Sequence, residues 1–251
     1  MKIMLTKCDD VPTWAIVEDG TAYRVEGGIY DSPTKGAAIG PVDGLKVLSP
    51  ILPENKVVVI LANWDDKFGR DSPAFIIKPA TARINPGETV IYPNLATRVH
   101  FETELGIVIG KKCKAVTPQQ AKDFILGYTI SNDMTAFEFK QAVGPFESLY
   151  GKGFDTFCSL GPCIATDVDP KNLLMRGMLN GEQFFETNSG LMLWDAYEIV
   201  SHVSQVMPLF PGDVISCGAP PGALSRPTLP GDRIGLEIVG IGKYEAPVRA
   251  E

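Results

Sequence analysis

Three turns of similar composition, each leading into a run of residues typical of a β-strand, constrain this chain more than any other feature. They are Pro86-Gly87-Glu88, Pro211-Gly212-Asp213 and Pro230-Gly231-Asp232, and the runs that follow them are rich in Val and Ile. The 25 glycines and 20 prolines fall mostly between short apolar runs, which favours a turn-rich fold over a helical bundle. We therefore predict an α+β, mainly β fold of hairpin-linked strands with few helices.

The first 50 residues have the pattern of a small N-terminal β unit. Residues 14–17 and 21–25 are apolar or β-branched and flank the turn Glu18-Asp19-Gly20, which predicts a hairpin. After a Pro- and Gly-rich stretch, the continuous apolar run Val57–Leu61 is typical of a buried strand. We place a boundary near residue 50, which separates this unit (1–50) from a larger domain (51–251).

Two segments carry helix signals. The first begins at Thr117, where Gln120 completes a capping box, and is predicted to run to about Leu126. The second begins near Asp195 and ends before Pro208. Its predicted apolar stripe consists of Ala196, Ile199, Val200, Val203 and Val206.

Charge and hydropathy exclude several classes of partner. The net charge is −7 and the isoelectric point is near 5.0, whereas nucleic-acid binding depends on clustered Lys and Arg, so no nucleic-acid partner is expected. No window approaches 18 apolar residues, and the apolar stretch at the N-terminus is too short for a signal peptide. We therefore expect a cytoplasmic protein with no membrane contact.

Cysteine and histidine usage limits the kind of metal site. The five cysteines are scattered without a CxxC pair, and the two histidines, His100 and His202, form no HExxH pattern. A disulfide framework or a zinc site is therefore not expected. Any metal must be held by oxygen ligands.

Glu102 and Glu104 are the first candidate ligands. They lie in a segment, residues 100–110, with the composition of a buried strand, where positions i and i+2 point to the same face. Two like charges side by side destabilise a sheet unless a cation lies between them, which favours a divalent ion. From this segment alone, a solvated face carrying both glutamates is an equally good interpretation.

Asp133 is a third candidate ligand, at the end of a second short strand over residues 127–133. Three carboxylates with open positions suit Mg²⁺ or Mn²⁺, although an Asn-Asp pair at a strand end is also a common turn signal. Further along, Lys152 lies between two glycines and is followed by Thr156, so a cation and a hydroxyl donor could approach a bound anion.

In their order and spacing, five segments resemble the fumarylacetoacetate hydrolase superfamily, in which a Glu-x-Glu pair and a later Asp bind a divalent metal. The segments are residues 99–110, 127–133, 152–156, 179–182 and 209–214. The similarity is greatest to the bacterial branch of acylpyruvate hydrolases, oxaloacetate decarboxylases and the isomerase/decarboxylases of homoprotocatechuate breakdown.

This resemblance implies a mixed β-roll, paired in a homodimer, with Glu102, Glu104 and Asp133 on the metal and Lys152 and Thr156 beside it. It also implies that the carboxylate and 2-oxo oxygen of a small 2-oxo acid chelate Mg²⁺ or Mn²⁺. The ion would then stabilise an enolate as a carbon–carbon bond breaks, and Lys152 would help neutralise that oxyanion.

The chain departs from the family pattern where relatives that hydrolyse carbon–carbon bonds carry a His and a Glu that activate water. Lys67 and Arg70 stand in those places, so the usual base is missing and Lys67 becomes a candidate for substrate binding. His100 lies on the same face as Glu102 and could act as the catalytic base, or equally support a ligand. Phe137 stands where an arginine is common.

Three hypotheses follow. The first is a metal-dependent enzyme that cleaves a carbon–carbon bond of a 2-oxo or 2,4-dioxo acid by hydrolysis or decarboxylation. The second is an isomerase or tautomerase of a 2-hydroxy-dienoate or 2-oxo acid in aromatic catabolism. The third is a homologue that binds metal without catalysis.

Overall fold

The structure, a computed structural model, describes residues 1–65, 71–140 and 148–251. Its strands are β1 Lys2–Cys8, β2 Val11–Glu18, β3 Thr21–Glu26, β4 Thr34–Pro41, β5 Lys46–Leu48, β6 Val57–Leu61, β7 Ala74–Lys78, β8 Arg83–Ile84, β9 Val90–Tyr92, β10 Val99–His100, β11 Thr103–Ile109, β12 Ile125–Asp133, β13 Thr135–Ala136, β14 Cys158–Ala165, β15 Leu174–Leu179, β16 Glu182–Asn188, β17 Val214–Ser216, β18 Arg233–Ile238 and β19 Gly242–Ala250. Its α-helices are α1 Pro118–Ala121, α2 Ser148–Lys152 and α3 Ala196–Val206. Short 3₁₀ turns cover Val42–Gly44, Ala80–Ala82, Lys122–Phe124, Phe137–Lys140 and Ser189–Leu191.

Most strands belong to one large sheet in the order β4-β3-β2-β1-β14-β12-β11-β17-β6-β7, with β5 added at β1 and β8 at β14. A second sheet has the order β16-β15-β18-β19-β9, and β10 pairs with β13 in a two-stranded ribbon. Parallel pairs, such as β6 with β17 and β9 with β19, occur beside antiparallel ones. The predicted α+β, mainly β fold with mixed strands is confirmed.

The strand β11 is covered on both faces, which explains why it is apolar from Leu105 to Ile109. Leu105 and Ile107 belong to the main core, together with β18 residues such as Leu236. Val108 faces the opposite way, into a second core with Val214. Because full burial of such a side chain contributes about 1.5–3 kcal/mol, β11 is a rigid base for the charged residues at its start.

The predicted N-terminal hairpin is confirmed, since β2 and β3 pair in antiparallel register across the turn at Asp19 and Gly20. Its neighbour β1 pairs with β2 on one side and β14 on the other. The N-terminal strands therefore continue the large sheet. The boundary near residue 50 stays a prediction.

The three proline–glycine turns lead into β9, β17 and β18 as predicted, but the expectation that they link hairpins is wrong. Among the described residues, none of them joins two strands that pair with each other. In each turn the glycine has positive φ and the acidic side chain accepts a backbone N–H three residues earlier. The acid closes the turn locally, while the following strand pairs elsewhere.

Both helix starts are confirmed by their capping boxes, at Thr117 and at Asp195. The first helix is much shorter than predicted, because the Phe124 carbonyl accepts the Gly110 N–H and Ile125 begins β12. In α3 the predicted stripe is buried except for Val206, which is 60% exposed. Within the described ranges, no helix combines the length and apolar content needed to cross a bilayer.

Candidate metal centre

Three carboxylates meet where β11 begins and β12 ends. Glu104 lies in β11 opposite Ser131, and Asp133 is the last residue of β12. Glu102 directly precedes β11, and its carbonyl oxygen accepts a hydrogen bond from the Asp133 backbone N–H at 3.2 Å. Ligand oxygens of the three carboxylates all lie within 4.8 Å of one another. The structure therefore brings together the three residues that the sequence singled out.

All three carboxylates are buried. Glu102 is 2% exposed, and Glu104 and Asp133 are fully enclosed. The alternative interpretation of the sequence, that both glutamates lie on a solvated face, is therefore wrong. The turn suggested for Asp133 is wrong as well, because this residue pairs with Cys158 inside the large sheet.

Two buried lysines neutralise most of this negative charge. The Lys152 Nζ donates to Glu102 Oε2 at 3.0 Å, to Thr135 Oγ1 at 2.7 Å and to Asp133 Oδ2. The Lys78 Nζ donates to Asp133 Oδ1 at 2.5 Å. Both lysines are at most 3% exposed. Three carboxylates thus face two ammonium groups, which leaves one acid in excess.

Glu104 is the carboxylate without a lysine. Its Oε2 accepts hydrogen bonds from Ser216 Oγ at 2.5 Å and from the Gly218 backbone N–H at 2.8 Å. Gly218 has φ +91°, and a Cβ there would lie 2.9 Å from the Ile60 carbonyl oxygen, so only glycine fits. The other carboxylate oxygen of Glu104, Oε1, is buried and has no hydrogen-bond partner among the described residues.

The pKa values follow from these surroundings. Burial, followed by the negative charges of Asp133 and Glu102, raises the pKa of Glu104 well above its ordinary value. Burial acts in the same direction on Asp133, but Lys152 and Lys78 outweigh it and lower the pKa of that carboxyl. For Lys152, burial lowers the pKa, but Asp133 and Glu102 outweigh it and raise it. The pKa values of Glu104 and Asp133 therefore shift in opposite directions, because only Asp133 has lysine partners.

The donor set fits a hard divalent cation. An unpartnered, buried carboxylate oxygen is costly, and Glu104 Oε1 lies in a group of carboxylates close enough to share one ion. Every candidate ligand is an oxygen, which suits Mg²⁺ or Mn²⁺ better than zinc. Glu102, Glu104 and Asp133 are the residues that could hold such an ion.

Comparison with known proteins agrees with this fold. The family model for the fumarylacetoacetate (FAA) hydrolase C-terminal domain matches residues 61–249. This chain belongs to the fumarylacetoacetate hydrolase family.

Relatives of this chain are named for different activities. An uncharacterised protein of Methanocaldococcus jannaschii is 44% identical over 179 residues, which cover 71% of this chain and 74% of that protein. The bovine oxaloacetate tautomerase FAHD2A, mitochondrial, is 32% identical over 216 residues, covering 80% and 69%. The crystal structure of 5-carboxymethyl-2-hydroxymuconate delta-isomerase from Mycobacterium smegmatis has a TM-score of 0.92 at 34% identity, over 100% of both chains. Two of these relatives are named for different reactions, a tautomerisation and an isomerisation.

The other predicted site residues of this fumarylacetoacetate hydrolase family member are not among the three clustered carboxylates. His100 is buried, and its Nε2 accepts a hydrogen bond from Arg98 Nε at 3.1 Å. The Thr156 Oγ1 accepts a hydrogen bond from the Ile91 backbone N–H at 2.8 Å. This contact joins the loop after α2 to β9. Lys67 and Arg70 lie outside the described residues. The catalytic role of His100 and the substrate contacts of Thr156 and Lys67 stay predictions.

Three side chains that support the carboxylates were not predicted from the sequence: Lys78, Thr135 and Ser216. Lys78 ends the apolar strand β7, and a charge at that position in an apolar strand was the available signal. Thr135 follows Asp133 by two residues, and its Oγ1 donates to Glu102 Oε1 at 2.7 Å. Ser216 lies 112 residues from Glu104, so the local sequence does not predict their contact.

Proposed function

We propose that this protein binds Mg²⁺ or Mn²⁺ through Glu102, Glu104 and Asp133 and cleaves a carbon–carbon bond of a small 2-oxo or 2,4-dioxo acid. The reaction is decarboxylation or hydrolysis. The observation that carries the proposal is the buried, unpartnered Glu104 Oε1 inside a group of three carboxylates. When bound, the cation supplies a Lewis acid for the 2-oxo oxygen of the substrate.

Lys152 has the charge and position to assist this reaction. When the carbon–carbon bond of the substrate breaks, the electron pair of that bond moves into an enolate. Negative charge then develops on the substrate's former 2-oxo oxygen. An ammonium group in a buried site stabilises such charge far better than one in water. Thr135, Glu102 and Asp133 hold the Lys152 Nζ in place, and its raised pKa keeps it protonated.

The surroundings of His100 bear on hydrolysis. A base that activates water needs a free lone pair, but the His100 Nε2 accepts a hydrogen bond from Arg98. Within our proposal, this contact supports decarboxylation over hydrolysis, since decarboxylation needs no activated water.

The second candidate is an isomerase or tautomerase acting on a 2-hydroxy-dienoate or a 2-oxo acid. Isomerisation consumes no water, so the engaged lone pair of His100 does not count against it; a base other than His100 would carry the proton from one carbon to the other. The names of the bovine tautomerase and the mycobacterial isomerase support this candidate. In this reaction every carbon of the substrate is retained.

Product analysis distinguishes these candidates. The protein is incubated with Mg²⁺ or Mn²⁺ and with oxaloacetate or a panel of acylpyruvates, and the products are followed by NMR beside a Glu104→Ala control. Pyruvate and carbon dioxide from oxaloacetate indicate decarboxylation, and pyruvate with a second carboxylic acid indicates hydrolysis. Conversion with all carbons retained supports the second candidate. Thermal stabilisation by metal without any turnover would instead identify a non-catalytic metal-binding homologue.

We also propose a homodimer, which family membership supports. Light scattering coupled to size-exclusion chromatography would show twice the mass of one 27.2 kDa chain. A monomer at micromolar concentration would contradict this assembly without affecting the proposed chemistry.

A further inference from the structure

The ribbon formed by β10 and β13 carries four side chains on one face. His100 pairs directly with Thr135, and the pairing extends by a hydrogen bond of 2.7 Å from the Phe137 N–H to the Arg98 carbonyl. Residues opposite each other in an antiparallel pair share a face, as do residues i and i+2. Arg98, His100, Thr135 and Phe137 therefore form one row, which we call the Arg98 row.

One end of the Arg98 row lies at the metal centre. The Thr135 Oγ1 donates to Glu102 Oε1 and accepts from Lys152 Nζ, both at 2.7 Å. At the other end Arg98 is exposed, and its guanidinium carbon lies 4.8 Å from the centroid of the Phe137 ring. Because residues i and i+2 of a strand lie about 6.5–7 Å apart, the two ends of the row are separated by a distance that a small dicarboxylic acid can span.

The Arg98 guanidinium is held in place without being neutralised. Its Nε donates to His100 Nε2 at 3.1 Å, and its plane rests on Phe137. The adjacent Glu138 carboxylate accepts the Arg98 backbone N–H at 3.2 Å and the Thr97 N–H, not the guanidinium. Across residues 1–65, 71–140 and 148–251, no carboxylate forms an ion pair with Arg98. Its terminal N–H groups are available for a planar anion.

We propose that Arg98 binds a second, distal carboxylate of the substrate, so that the protein prefers 2-oxo dicarboxylic acids over 2-oxo monocarboxylic acids. A guanidinium presents paired donors whose geometry matches a carboxylate. This inference rests on the proposed function, because the first carboxylate and the 2-oxo group must lie at the metal centre. Arg98 then sets both the charge and the length of the preferred substrate.

Calorimetry with matched ligands tests this role without requiring turnover. Mn²⁺-loaded protein is titrated with 2-oxoglutarate and 2-oxoheptanedioate, and with the monocarboxylates of equal length, 2-oxopentanoate and 2-oxoheptanoate. In the wild type, at least one dicarboxylate should bind about 10- to 100-fold more tightly than its partner, as expected for a charged hydrogen bond. Arg98→Gln should remove that preference and leave the monocarboxylate Kd unchanged.

Two further variants control for charge and folding. Arg98→Lys keeps the charge but loses the paired geometry, so it should retain only part of the preference. Arg24→Gln removes an exposed arginine from β3, far along the sheet from the metal centre, and should behave as wild type. Circular dichroism checks that each variant is folded.

The outcomes separate this inference from the proposed function. Equal affinity of the wild type for both members of each pair, or a preference that persists in Arg98→Gln, overturns the role of Arg98 and leaves the proposed function intact. Metal-loaded protein that binds none of the four acids contradicts the 2-oxo acid function itself, and the role of Arg98 falls with it.

Discussion

The metal centre and the Arg176 group, which consists of Arg176, Glu186 and Glu237 on the second sheet, both join charged side chains from neighbouring strands. Water reaches only the Arg176 group. Arg176 donates to Glu186 at 2.7 Å and to Glu237 at 3.1 Å, and all three side chains are between 26% and 43% exposed. In the metal centre, Lys78 and Lys152 lie among three carboxylates with at most 3% exposure. The chemical groups are similar, and their surroundings differ completely.

The difference shows how a functional charge group is distinguished from a structural one. At the surface, solvent and salt compensate any excess charge, so such pairs contribute little to stability. In the interior, an excess carboxylate with an unpartnered oxygen is destabilising. The chain retains one at Glu104, where a divalent cation would complete the site.

Replacing Glu104 should have the largest effect. Glu104→Gln keeps the size of the side chain but removes the charge that attracts the ion, so Mn²⁺ binding should fall below detection and turnover should cease. Isothermal titration measures the affinity. Glu186→Gln, in the exposed group, is the matched control and should bind Mn²⁺ as wild type does. Unchanged affinity in Glu104→Gln would contradict the metal site.

Lys152→Met should abolish most activity without weakening metal binding. The variant loses the cation that faces the developing negative charge, and removal of one such group costs about 10²- to 10³-fold in kcat. Since a positive charge is removed beside the ion, the Mn²⁺ Kd should be unchanged or lower. A variant with full kcat would exclude Lys152 from the reaction.

Lys78→Met should destabilise the metal-free protein. The substitution leaves Asp133 Oδ1 without its donor, and breaking a buried pair costs about 3–5 kcal/mol of the free energy of unfolding. Urea unfolding measures the loss. Lys35→Met breaks an exposed pair with Glu18 and serves as control, with no resolvable change expected. Similar results for both variants would show that burial does not distinguish the two groups.

Metal binding should weaken as the pH falls. The raised pKa of Glu104 means that its carboxyl must lose a proton before it binds an ion. Below that pKa, the affinity should fall by up to about tenfold per pH unit. In the metal-free protein the sign is opposite: this carboxyl destabilises the fold above its ordinary pKa, and lowering the pH through the raised pKa relieves the destabilisation.

Titrations in two buffers of different ionisation enthalpy count the protons released. A Kd that does not change with pH, with no proton release, would show that Glu104 is already ionised in the metal-free protein.

Arg176→Gln should have the smallest effect. Its partners remain solvated when it is removed, so the melting temperature should not change resolvably. Scanning calorimetry at low and high salt checks this expectation. A large loss of stability would mean that exposed groups in this fold are as strongly coupled as buried ones.

Some features of this protein were determined by the sequence alone, because they depend on neighbours along the chain. Strand alternation placed Glu102 and Glu104 on one face, and the capping boxes at Thr117 and Asp195 set both helix starts. The family resemblance added the pairing of these glutamates with Asp133. These signals need no knowledge of distant residues.

Only the tertiary structure decided what surrounds the carboxylates. Lys78 lies 55 residues before Asp133, and Ser216 lies 112 residues after Glu104, and the strand order alone brings them together. The same long-range pairing ended the first helix at Ala121 and left the three proline–glycine turns outside hairpins. Local periodicity cannot specify which strands become neighbours, because that choice depends on burying both faces of strands such as β11. The sequence therefore identified the three acidic groups, and the packing of the sheets determined which of their oxygens remain unpaired.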